Sequence, residues 1–462
     1  MGKAFDRFDA VSPLDYRYMG SHSETLAEYL SENARIRYQA RAEAALVKVL
    51  AKNRVCSAAA AKEAAKAAEL ITAEEVYEEE KSTRHDVRAL VNVLRSKVSA
   101  SAKPYIHFSA TSYDIVDTSN AARYKAAAEN LIIPALKGLE KNLIKIALRE
   151  KSTLQMGRTH GQHAEPITFG FAIAEYVSRL GNRILAIEHA KNALCGKFSG
   201  AVGAYNASSL LIKNPRKLER EIMKELGLKV SKHSTQVVEP ESLQDLMHAL
   251  TGAFTVLANF ADDMRNLQRS EIAEVAEAFG KTQVGSSTMP HKRNPINFEN
   301  VKSLWKEFMP RMNTVYMDAI SEHQRDLTNS ASARFIQEVF AALYVSARRM
   351  EKVTENLAVD DRSMLRNFSM SRDSVIAEPL YILLAKYGHG NAHEVVRLLT
   401  LNAQETGKSL PELVAKEPKL MKYLRRFSPA ERRLLEKPER YTGLSREKTE
   451  EVCSCWKKEL RL

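Results

Sequence analysis

Leu246, Leu250, Ala253, Leu257, Phe260, Met264 and Leu267 recur at steps of four and three residues. Ile132, Leu136, Leu139, Leu143 and Ile146 repeat the pattern, as do Ile173, Val177, Leu180, Ile184 and Ile187. That spacing lays an apolar stripe along one face of a helix, and such stripes pack side by side at shallow angles. A helix of about 30 residues spans about 45 Å, more than one small bundle needs. The stripes therefore read as core, and they predict a multi-helix rod completed by other subunits.

The chain has 462 residues, 44% of them hydrophobic and 27% charged, an ordinary balance for a globular protein. That length accommodates two or three domains, and the patterning places them at 1–111, 112–362 and 363–462. No apolar run reaches the roughly 18 residues of a membrane span, so no membrane partner is expected. The opening stretch MGKAFDRFDAVSP has no apolar signal region, and only four cysteines are present. Both point to a reducing, cytoplasmic setting. The net charge of +12 is spread along helices among acids rather than set in an aromatic-interleaved basic block. It suits an anionic small ligand, phosphate or polycarboxylate, and does not require nucleic acid.

Residues Ala40 to Glu80 are rich in strong helix formers and read as helix throughout. In the following KSTRHDV, Ser82 and Thr83 are candidate caps for the next helix, with Asp86 three residues after Thr83. Arg84 and His85 then fall in a first turn, where cations are disfavoured unless they face an anion. Polar, Gly- or Pro-bearing loops follow the apolar runs at 105–118, 156–170, 196–206, 234–240 and 322–334. No strand-rich region, no dinucleotide fingerprint, no phosphate loop and no H-E-x-x-H occurs, so the fold class is nearly all-α.

The stretch GSSTMPHKRNPINFEN, Gly285 to Asn300, fits neither helix nor strand. Pro290 and Pro295 each remove a backbone donor. A loop of this length in a helical chain is functional or disordered. Here Ser286, Ser287, His291, Lys292, Asn294 and Glu299 crowd together. Metal chemistry is the weaker reading: His107, His160 and His163 have no nearby cysteine, and Cys453-x-Cys455 has no second pair. A serine hydrolase would need a G-x-S-x-G elbow, which is missing. Proton abstraction beside a carboxylate fits better. It requires a base, a group to stabilise the developing dianion, and an acid for the leaving atom. Ser286 serves as base only if Lys292 and backbone amides hold it ionised in a loop that closes against water. His160, in a separate loop, is the natural acid near neutral pH.

GSSTMPHKRNP resembles the serine loop of the fumarase/aspartase superfamily, and TSYD (Thr111 to Asp114) and GRTHGQHAEP (Gly157 to Pro166) resemble its other two shared regions. SPLDYRY, TRHDV and RDLTNSASAR are similar to motifs of the branch that cleaves succinylated purine nucleotides. The resemblance spans nearly the whole chain. It implies an all-α, fumarase/aspartase-like fold of three helical domains, with a long central helix bundle completed by homotetramerisation and active sites shared between subunits. It implies anti β-elimination of fumarate from adenylosuccinate, giving AMP, and from SAICAR, giving AICAR, with no cofactor and no metal.

Carried over motif by motif, Ser286 is the base and His160 the acid. Lys292, Asn294, Thr111, Ser112 and Gln236 hold the succinyl carboxylates, with Ser287 beside them. Arg17, Tyr18, Arg325, Ser330 and Arg334 hold phosphate and ribose, joined by Arg84 and Asp86 of TRHDV. His85 sits by the phosphate or assists the acid, and Glu299 orients His160 or Lys292. Two departures stand out: VVEPES replaces an Arg-Asp pair after Gln236, and Asn300 replaces an arginine of some members. The rivals are a carboxymuconate cycloisomerase, argininosuccinate lyase or fumarase, a non-catalytic structural relative, and a basic RNA scaffold. Arg17, Tyr18, His85, Arg325 and Arg334 favour the nucleotide enzyme, because the first of these rivals handles no phosphate.

Overall fold

A computed structural model describes residues 10–280, 285–286 and 288–462. Two of the long stripes are long helices, Phe169–Ala193 and Glu241–Leu267, and a further long helix spans Ile336–Glu355. Helix also runs unbroken from Ser112 to Arg149, through a π-helical turn at Ala128–Ile132. The stripe residues from Leu246 through Met264 are buried, as are those of the other two stripes. Burying such a side chain is worth about 1.5–3 kcal/mol, which explains why periodicity predicts these helices so well.

The chain folds as two compact units, each discontinuous in sequence. The first comprises Met1–Gly138, Asn182–Ala258 and Asn300–Met350. The second comprises Leu139–Gly181, Asn259–Glu299 and Glu351–Leu462. The C-terminal part of the second has its own core around Leu380, Leu384, Leu410, Leu420 and Phe427.

Two expectations need correction. The Ala40–Glu80 run is divided among three helices, Glu32–Lys52, Ala58–Leu70 and Ala73–Thr83. Ser57 caps the second by accepting the Ala60 N–H at 3.1 Å. Thr72 and Glu75 form a reciprocal capping box at the head of the third. Local side-chain caps thus outweigh uniformly high helix propensity.

The second correction concerns the 156–170 loop, which is an antiparallel hairpin of β1 (Leu154–Thr159) and β2 (Gln162–Thr168). Its two connecting residues, His160 and Gly161, both have positive φ, at 53° and 74°. That is the backbone of a primed two-residue turn, matched to the twist of the strands. Between Met156↔Pro166 and Arg158↔His163 the register slips by one residue, so Gly157 faces both Ala164 and Glu165. This bulge turns the tip, and a Cβ on Gly157 would lie 2.7 Å from the Glu165 carbonyl oxygen.

Candidate active site

In the first unit the site is built on the N-terminus of the long Ser112 helix. Asp114, fully buried, is its organising acid. One carboxylate oxygen accepts the Thr111 N–H at 2.8 Å. The other accepts the Ser199 N–H at 3.1 Å and the ammonium of Lys197, itself fully buried. The Gly200 N–H also reaches this carboxylate, at 3.2 Å. One acid therefore fixes both the helix start carrying Thr111 and Ser112 and the glycine-rich 196–203 segment. Glycine is needed in that segment because a Cβ on Gly203 would fall 1.9 Å from the Ser234 carbonyl oxygen.

Beside this helix start lies a cavity of about 460 Å³ whose lining includes Arg84, His85, Asp86, Ser112, Arg325, Ser330 and Arg334. Five arginines (35, 84, 123, 325 and 334) line it against three carboxylates, Glu32, Glu80 and Asp86. The excess of guanidinium forks suits a phosphate. Asp86 stands 3.8 Å from a nitrogen of Arg35 and 3.8 Å from one of Arg334, and so holds both in place.

His85 is not a first-turn residue, as the sequence suggested. It is the N-cap of the Asp86–Ser96 helix, and its Nδ1 accepts the Arg88 N–H at 3.3 Å. Ser82 and Thr83 instead end the preceding helix, and Arg84 closes it in the left-handed conformation at φ 50°. The capping bond leaves Nε2 as the nitrogen that carries the proton.

Arg325 forms one wall. Its guanidinium carbon lies 3.4 Å from the centroid of the Tyr113 ring, and Nη1 donates to Gln236 Oε1 at 3.0 Å. Gln236 is thereby tied to the cavity through Arg325. Arg17 and Tyr18 sit on the short Leu14–Tyr18 helix and are not among the cavity's lining residues.

In the second unit, His160 projects from the tip of the β1–β2 hairpin. The hairpin is anchored along its length. Arg158 pairs with buried Glu274 at 2.6 Å, and His163 Nδ1 meets Ser371 Oγ at 2.8 Å. Glu165 hydrogen-bonds Glu378, a sharing that together with burial lifts it to about 7, and Tyr441 donates to Glu378 at 2.6 Å. His163 is thus engaged structurally, as is His107, whose Nδ1 lies 2.6 Å from Glu43.

The serine loop belongs to the same unit. Ser286 Oγ accepts the N–H of Met289 at 3.0 Å and of Thr288 at 3.3 Å. Two backbone donors on a hydroxyl oxygen favour its ionised form. Asn294 donates to the Gly285 carbonyl at 2.9 Å, so that side chain shapes the loop itself. A Cβ on Gly285 would lie 2.0 Å from the Lys292 carbonyl oxygen. Lys292 is exposed, and Glu299 is exposed in the first turn of the Ile296–Phe308 helix. Ser287 lies outside the described residues.

Sequence reasoning passed over Arg35, Arg123, Tyr113, Asp114 and Lys197. Arg35 stands three residues from Glu32 on one helix and pairs with it, and only the tertiary fold brings it to Asp86. Tyr113 and Asp114 stood in TSYD directly after Thr111 and Ser112, and their aromatic and acidic character was the available signal.

An anion pocket at a helix start in one unit, and a serine loop and a histidine-tipped hairpin in the other, are each consistent with a lyase of the fumarase/aspartase kind. The family model described as lyase matches residues 17–307. The fold is similar to a fumarate lyase from Mesorhizobium sp. BNC1, with a TM-score of 0.81 at 22% identity over 93% of this chain and 97% of that one. It is also similar to the 3-carboxy-cis,cis-muconate lactonizing enzyme of Pseudomonas putida, with a TM-score of 0.82 at 24% identity over 94% and 97%.

Residues 321–431 match the adenylosuccinate lyase C-terminal model. The adenylosuccinate lyases of Archaeoglobus fulgidus and Pyrococcus abyssi are 35% and 37% identical to this chain. Each alignment covers 96% of it and 98% or 97% of the relative. The chain belongs to the adenylosuccinate lyase family.

Proposed function

We propose that this protein eliminates fumarate from adenylosuccinate, leaving AMP, and from SAICAR, leaving AICAR, in purine biosynthesis. The observation that carries the reading is the arginine-rich cavity beside the Ser112 helix start, which supplies the phosphate recognition that a lyase of non-nucleotide acids does not need.

Ser286 removes a proton from the succinyl carbon next to a carboxylate. The electron pair first enlarges the charge on that carboxylate and then forms the C=C bond as the C–N bond breaks. His160 gives its proton to the departing nitrogen. One proton leaves carbon and one arrives at nitrogen, so the step needs no cofactor or metal. Lys292, Thr111, Ser112 and Gln236 neutralise the succinyl carboxylates, and Asn294 does so while bracing the loop. Arg325, Ser330 and Arg334 take the phosphate and ribose, with Arg84, His85 and Asp86 lining the same cavity, and Arg17 and Tyr18 are assigned to phosphate as well. Glu299 orients His160 or Lys292. The two backbone N–H groups on Ser286 Oγ support its role as base.

The working form is a homotetramer in the cytoplasm, its active sites assembled from loops of different subunits and its chains divided at 111 and 362. Purified protein given adenylosuccinate without added metal should release AMP and fumarate, followed by absorbance. A folded tetramer that leaves adenylosuccinate and SAICAR untouched would rule the reading out.

A further inference from the structure

Ser112, Tyr113, Val116, Asn120 and Arg123 all line the arginine-rich cavity and recur at helical spacing. They form one stripe of the Ser112–Ala127 helix, so the helix runs along the cavity as well as opening onto it. At 1.5 Å per residue the stripe is about 16 Å long. Arg123 stands at its far end, and at 3% exposure it is the most buried of the five arginines there.

Its Nη2 donates to Asn120 Oδ1 and to the Tyr124 hydroxyl, at 3.1 Å each. Both acceptors are neutral. Among the described residues no carboxylate pairs with this guanidinium. Glu32 and Asp86, in the same cavity, pair with Arg35, and Asp86 also with Arg334. Nε is shut off from solvent, whereas Nη1 makes no bond and is not shut off. The group is also held still. It lies over the Tyr124 ring at 4.8 Å from the centroid, and Tyr124 stacks on Phe340. Phe340 belongs to the Ile336–Glu355 helix, which begins two residues after Arg334.

A buried guanidinium with no counter-charge is costly, and an anion that reaches it recovers that cost. Stacking on an aromatic ring offsets only part of it. The succinyl carboxylates are assigned to the head of the stripe, at Thr111 and Ser112. In adenylosuccinate and SAICAR alike, the phosphate hangs from the ribose at the opposite end of the molecule. We propose that Arg123 is a further substrate-binding residue, whose Nη1 donates to a phosphate oxygen of the nucleotide. A fixed, charged donor of this kind makes a strong bond to phosphate. The role rests on the lyase reading and adds to it a guanidinium from outside the recognised motifs.

The test compares wild type, Arg123→Met and Arg123→Lys as whole purified proteins. Arg123→Met removes a buried charge with no internal partner, so Tm without ligand should hold or rise. Calorimetry should show AMP binding weakened about tenfold, a loss of about 1.4 kcal/mol. Adenosine, which lacks the phosphate, should bind wild type and variant alike at millimolar concentration. Arg123→Lys keeps the charge without the fork and should fall between the two. With adenylosuccinate, KM should rise as AMP affinity falls, and kcat should change by less than about twofold. If Arg123→Met does not fold, the comparison of AMP with adenosine is read on Arg123→Lys, where a several-fold loss for AMP alone is expected. The proposal is overturned by equal AMP affinity in all three proteins, or by equal weakening of AMP and adenosine. A lowered Tm with KM unchanged also overturns it, since Arg123 would then have an internal partner and a structural role. Wild type that binds AMP through Arg123 but leaves adenylosuccinate intact would sink the lyase reading alone, so the two failures are told apart.

Discussion

Asp114 and Lys197 pair with neither side chain exposed to solvent, and the acid also receives backbone N–H groups from Thr111 and Ser199. Breaking such a pair strands a buried charge, at a cost of about 3–5 kcal/mol. Asp114→Leu should lower the urea midpoint accordingly. The double variant Asp114→Leu/Lys197→Met should regain most of that stability, because no charge is left stranded. It should not regain kcat/KM, because Thr111 still lacks the acceptor that sets the helix start. Recovery of stability and activity together would show that Asp114 has no bearing on the site.

Tyr113 presses its ring against Arg325. Removing a stacked aromatic from a guanidinium loses about 0.5–2 kcal/mol of cation–π attraction. Tyr113→Ala should therefore raise KM for adenylosuccinate several-fold and change kcat little, whereas Tyr113→Phe should behave as wild type. Steady-state kinetics on the three proteins decides between this and a role for the hydroxyl, which would make the Phe variant as poor as the Ala variant.

Ser286→Ala should cut kcat by orders of magnitude while adenylosuccinate still binds, measured by turnover alongside calorimetry. Gly285→Ala should do nearly as much harm without touching a reacting group, since its Cβ would strike the Lys292 carbonyl. A Gly285→Ala enzyme at full rate would mean that the loop's observed path is not the one used in catalysis.

Glu140 is fully buried in the second unit, and both its carboxyl oxygens lack a partner. Burial lifts it from 4.5 to about 9. The folded protein thus holds a proton that the unfolded chain releases near pH 4.5. The stability this contributes is complete below that pH and is lost as pH rises toward 9, by about 1.4 kcal/mol per unit. Glu140→Gln, which stays neutral, should flatten the fall in urea midpoint between pH 5 and pH 9. Parallel curves for variant and wild type would mean that Glu140 is solvated.

The sequence exposed most of the scaffold because the stripes at 132–146, 173–187 and 246–264 report directly on burial, the dominant force in folding. It hid the hairpin. Strands this short, with a bulge at Gly157 and Pro166 within β2, show little alternation, and His-Gly is a rarer primed turn than Asn-Gly. The cavity was legible in part. Arg325, Ser330 and Arg334 stood in one motif, but Arg35 comes from a helix far earlier in the chain, and Lys197 reaches Asp114 across 83 positions. Contacts of that range leave no periodic trace.

The serine loop is tied at its neck, where Gly285 abuts the Lys292 carbonyl and is gripped by Asn294. A tether fastened at both ends of its active arc has the freedom of a small ring, and ring size enters closure entropy only logarithmically. A molecule that reaches Ser286 therefore meets backbone already held by the Asn294 side chain and a hydroxyl already held by the Met289 N–H.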